Sequence, residues 1–136
     1  MWVSKEERLL YLKDDMCLMG SLFDLVYINN LDISLFAENF MCSGVRESMD
    51  NCHPGFLNFG AVDLLNYLGY SVSTPHLPYS QDLAFYWVGS VYPYISIHRD
   101  TPSRELIKIL SFRALLSMYP LGHTLSYGSF LDHLIL

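Results

Sequence analysis

The chain has 136 residues, of which 51% are hydrophobic and 16% charged, and it carries a net charge of −6. An ordinary soluble protein is roughly 25% charged, so this one has little charge with which to cover its surface, which points to a protein partner or a homodimer. The length suits one domain, residues 1–136, with a real core, and the negative balance opposes direct binding to nucleic acid, which needs clustered Lys and Arg.

Charge is unevenly placed. Most of the acidic residues lie in the first third, only Asp63 and Asp82 fall between Asn51 and Ile97, and Arg99, Arg104, Lys108 and Arg113 make the last third slightly basic. Cys17, Cys42 and Cys52 are an odd number among apolar neighbours, which reads as reduced thiols in a cytoplasmic protein. The opening MWVSKEERLL lacks the basic start and apolar run of a signal peptide.

In chain order, Ser4 and Glu7 form a capping box ahead of Leu9, Leu12, Met16, Met19, Phe23 and Val26, spaced by threes and fours, which predicts one helix of about 24 residues. A second stripe of Leu18, Leu22 and Leu25 leaves Gly20, Ser21 and Asp24 as a narrow polar strip. This helix is expected to be central, with Gly20 admitting a close neighbour. NNLD ends it, and Asp32 caps a second helix through Phe36 and Phe40, which Gly44 ends or loosens. NCHPGF predicts a type II turn with Gly55 at positive φ, and GAVDLLNYLG a short helix closed by Gly69. YSVSTPHLPYS is a long loop, after which Ser80 and Asp82 suit the start of the next helix.

That helix, LAFYWVGSVYPYISIH, is uncharged over sixteen residues. It is too short for a bilayer crossing, and Pro93 is expected to kink or end it between Gly89 and Tyr92. Trp87 and Tyr94 lie along one face and Phe85 and Tyr92 along another, so the helix is sandwiched in the core or keeps a face for a partner. Thr101 and Pro102 start a further helix, SFRALLSMY is a short one stopped at Pro120, and SYGSFLDHLIL is terminal. SVS and YISI are the only weak strand candidates. The fold expected is all-α, a compact single-domain bundle of about six helices around a central apolar N-terminal helix.

Chemistry-bearing motifs are few. HRD at His98–Asp100 lacks every companion of the kinase catalytic loop. Cys52 and His53 are adjacent and have no orienting third group. The five histidines and three cysteines show no metal-binding spacing, so no metal and no cofactor is expected. Asp24 on an apolar helix must find a partner. Gly20 with Phe23-Asp24, Phe36 with Phe40 and Ser43, Pro54 with Gly60 and Leu64, Tyr86-Trp87-x-Gly89, and Tyr119 with His123 together resemble a family of small uncharacterised helical proteins from Firmicutes. Its members tend to be encoded near ADP-ribosyltransferase-like, toxin-like proteins, so the resemblance implies a small helical protein in such a setting.

The reading that follows is a non-enzymatic protein-binding module that occludes another protein, as an antitoxin-like partner or an inhibitor in phage–host conflict would. Its partner surface is expected at Tyr86, Trp87, Tyr92, Tyr94, Arg99, Arg104 and Lys108. A small-ligand binder or enzyme with a pocket at Asp24, Trp87, Tyr92 and His123, and a self-assembling structural protein, are the alternatives.

Overall fold

A computed structural model of the chain describes residues 4–52, 54–73 and 83–136. All regular structure among them is helical, as expected, but it comes in eleven segments rather than about six. The N-terminal helix is interrupted at Tyr11, giving α1 (Lys5–Leu10) and α2 (Leu12–Ile28). Ser4 caps α1 by accepting the Glu7 amide. Asn30, at φ 59°, closes α2, and the Leu31 and Asn30 amides return to the Val26 and Tyr27 carbonyls.

Asp32 caps α3 (Ile33–Met41) as expected, accepting the Leu35 amide. Ser43 then opens a separate helix, α4 (Gly44–Asp50), by accepting the Arg46 amide. The expected type II turn is not formed. Positive φ falls on Cys52 instead, and Pro54 begins the single turn α5 (Pro54–Leu57), a position where its missing N–H costs nothing. Gly69, at φ 96°, closes α6 (Ala61–Tyr67). The Tyr70 and Gly69 amides return to Leu65 and Asn66 in a Schellman arrangement. Ser71 to Ser73 form no strand, and Ser80 and Asp82 lie outside the described residues.

α7 (Ala84–His98) contains YISI and runs unbroken through Pro93. Burial compensates for the bond that the proline removes, since eleven of its fifteen residues are buried. Pro102 is the N-cap of α8 (Ser103–Ile109) rather than its first residue. Nor does Pro120 stop the chain: after α9 (Phe112–Ser117) it sits in the first turn of α10 (Tyr119–Gly122), where proline is tolerated. Ser126 caps α11 (Tyr127–His133).

α2 and α7 are the two longest helices and make the most extensive contact, with the shorter helices packed around them. Met19, Leu22, Phe23 and Val26 from α2 and Val88, Val91, Tyr92 and Ile95 from α7 are completely buried. Each such apolar side chain contributes about 1.5–3 kcal/mol. The helices meet backbone to backbone: a Cβ on Gly89 would overlap the Met19 carbonyl, 2.8 Å from its carbon and 3.0 Å from Gly20 Cα. Gly122 serves the same end for Trp87, whose ring would lie 2.7 Å from a Cβ there. No helix among the described residues is long and apolar enough to cross a membrane.

The Gly89 contact is against main chain, which cannot rotate away. Gly89→Ala is therefore expected to lower stability in chemical denaturation by about 2–3 kcal/mol. Gly44→Ala, with nothing within 4 Å of its Cβ, should change stability by no more than about 0.5 kcal/mol. Equal effects at the two positions would contradict this packing.

Candidate functional site

Two arrangements of polar side chains stand out, one sealed and one open. The sealed one is centred on Arg46, a completely buried arginine. Its Nη1 and Nη2 donate to the two oxygens of Asp15 at 2.7 and 2.8 Å. Its Nε lies 3.0 Å from both Asp50 Oδ1 and Ser103 Oγ. Asp50 in turn accepts the Ser103 hydroxyl and, through Oδ2, the Ser103 amide, each at 2.8 Å. The carboxylate of α4 thus caps α8, supplying what Pro102 has no side chain to give.

A second buried arginine, Arg8, donates to Ser96 Oγ at 3.0 Å and lies 3.8 Å from Asp50. The Ser96 hydroxyl in turn donates to the Thr101 carbonyl. Two arginines and two aspartates balance in charge, and together with the serines they join α1, α2, α4, α7 and α8. Burial opposes the charge on Arg46, but Asp15 and Asp50 outweigh it and hold its pKa above the ordinary arginine value. At Arg8 burial dominates and lowers the pKa, the attraction of Asp50 offsetting it only in part. With all its ionised groups occupied by one another, this cluster is a structural tie.

The open arrangement is a groove of about 750 Å³ between α2, α6 and the start of α7. α2 contributes Asp14, Cys17, Leu18, Ser21, Asp24 and Leu25, a spacing of threes and fours that lines one helical face. The opposite wall is Phe59 to Asp63, and Leu83 and Tyr86 close the end. The Tyr86 ring is seated on Gly20, 2.8 Å from where a Cβ would stand. Burial, with the adjacent Cys17 thiol adding to it, pushes the Tyr86 hydroxyl up to about 12, so it is a neutral hydrogen-bonding group near pH 7. Three carboxylates face this space, and among the described residues no Lys, Arg or His lines it. Its chemistry favours a cationic or amphipathic occupant over a phosphate.

The residues singled out in the sequence are dispersed. Tyr86 and Asp24 line the groove. Trp87 is 8% exposed and packs against Tyr119 and Phe130, and Tyr92 is fully buried, donating to the Leu110 carbonyl at 2.9 Å. Neither presents a face to a partner. Tyr94 is half-buried against Tyr127 and His98. His123 is exposed, its ring stacked on Tyr119 at 4.3 Å and its Nδ1 2.7 Å from the Tyr119 carbonyl. Asp24, Trp87, Tyr92 and His123 therefore do not share one cavity.

The basic residues serve helix ends. Arg99 donates to the Leu131 and Leu134 carbonyls at the end of α11, and Arg104 to the Cys42 carbonyl at the end of α3. Lys108 is exposed on α8, one turn from Arg104. Cys17, Cys42 and Cys52 are free thiols. No group of His, Cys, Asp or Glu among the described residues is placed to hold a metal ion.

No family model, no curated protein and no solved structure matches this chain. The resemblance drawn from Gly20, Phe23-Asp24 and Tyr86-Trp87-x-Gly89 thus rests on those spacings alone.

Arg46 has no route to water, so removing one of its partners leaves a buried charge uncompensated. Asp15→Ala is expected to destabilise the protein by about 3–5 kcal/mol in urea. A loss below about 1 kcal/mol, as for an exposed pair, would show that the pair is not sealed.

Proposed function

We propose that this chain is a non-enzymatic binding module that works by occluding a surface of another protein in the cytoplasm, as an antitoxin-like partner or an inhibitor in phage–host conflict would. The observation that carries the reading is the open groove with its apolar floor and acidic rim, beside a sealed Arg46 cluster whose ionised groups are occupied by one another. Exposed carboxylates around an apolar centre suit a protein interface, which combines a dry core with a polar rim. The three free thiols support a reducing compartment. The antitoxin-like form of the reading is supported by the sequence resemblance.

A small-ligand reading draws on the groove volume, about 750 Å³, within the range of small-molecule sites. The groove's open line of three helical elements favours a macromolecular occupant. Affinity capture from the native host separates the two. Wild type and Glu38→Arg, whose exposed side chain lies outside the groove, should retain one specific protein. Ser21→Arg, which fills the groove, should lose it while its melting temperature stays within a few degrees. A metabolite that raises the melting temperature of wild type but not of Ser21→Arg, with no protein retained by either, would overturn the binding-module reading.

A further inference from the structure

We infer that the groove between α2, α6 and α7 takes a basic amphipathic helix of the partner protein, its apolar face on Leu18, Val62 and Tyr86 and its Lys or Arg side chains on Asp14 and Asp63. This rests on the binding-module reading and adds the chemistry of the partner segment. Length is the first argument. From Asp14 to Leu25 the lining face of α2 extends about 16 Å at 1.5 Å per residue, which matches about three turns of a docked helix. Backbone chemistry is the second. The described residues offer no strand edge to an extended segment, whereas a helix satisfies its own amides and carbonyls and presents side chains alone.

Charge is the third argument and fixes the sign of the partner. Asp14 and Asp63 are exposed, and neither takes part in an ion pair among the described residues. Among the described residues the lining contains no cation to neutralise them. By contrast, Arg99 and Arg104 are already engaged at helix ends, so the basic side of the molecule has less to offer an acidic partner. A cationic helix meets both carboxylates across an apolar floor, and an anionic one meets repulsion.

The test uses the full chain and two labelled model peptides of roughly 18 residues that place leucines at helical spacing, one with lysines and one with glutamates on the polar face. Fluorescence anisotropy at about 150 mM salt reads binding, and NMR shifts map the site. The lysine peptide should bind, shift Leu18, Val62 and Tyr86, and weaken about tenfold or more in Asp14→Lys/Asp63→Lys. A matched change of net charge outside the groove, Glu38→Lys/Asp132→Lys, should leave its affinity within about twofold. The glutamate peptide should not bind.

Equal weakening by the two charge-reversed variants would reduce the binding to the overall charge of the protein and overturn the inference, as would equal binding of the two peptides. Spermine displacing the lysine peptide and producing the same shifts would assign the groove to small polycations instead. Self-association of the wild type abolished by Asp14→Lys/Asp63→Lys would assign it to a second copy. Should the host partner still be captured by Asp14→Lys/Asp63→Lys, the basic-helix inference falls while the binding-module reading stands.

Discussion

A guanidinium with no access to water has to be met on every side, and Arg46 is met from α2, α4 and α8 at once. The desolvation of such a charge costs several kcal/mol, which only well-aligned partners offset. The side chain therefore fixes where α2, α4 and α8 lie against one another, and the two-turn α4 and α8 are too short to hold their place by helix propensity alone. Arg8 extends the same network to α1 and α7 through Asp50 and Ser96. The net effect on stability is modest, because the desolvation of the buried charges offsets much of their attraction. Its effect on geometry is large, because an alternative packing would strand a charge.

That constraint reaches the groove through neighbouring carboxylates. Asp15 is buried against Arg46, and Asp14, one residue earlier and about 100° around the helix, stands exposed on the groove. Anchoring Asp15 thereby sets the rotation of α2 and the line of Asp14, Ser21 and Asp24. The contact of Gly20 with Gly89 sets the depth at which α7 lies, and the Tyr86 ring seated on Gly20 forms one end of the floor. The sealed cluster and the close helix crossing thus position an open surface that neither of them occupies.

Much of the fold was legible because it depends on local signals. Apolar spacing marked α2 and α7, the capping residues Ser4 and Asp32 and the closing Gly69 acted as expected, and Gly20 proved to be a point of close approach. Several misplaced boundaries trace to prolines, since Pro54 and Pro120 begin or join short helices and Pro93 is carried within one, while the breaks at Tyr11 and Ser43 involve no proline. The candidate site was half legible: Asp24, Ser21 and Tyr86 were visible as polar or aromatic marks on apolar helices, whereas Asp63 and Phe59 come from a distant stretch. The charge cluster also leaves a mark in the sequence. Stepping the Leu18, Leu22, Leu25 stripe back by three residues reaches Asp15, and Arg46 and Asp50 are one turn apart. A carboxylate in register with an apolar stripe marks a buried ion pair whose partner only the tertiary fold reveals.

Hydrogen exchange at the Arg46 Nε–H, followed by NMR in D2O, tests the central claim most directly. The proton bonded to Asp50 and Ser103 should persist as long as the most protected amides of α7, exchanging only when the whole protein unfolds. Exchange as fast as at Arg104, whose side chain is 52% exposed, would show that the cluster opens locally and does not set the positions of the helices around it.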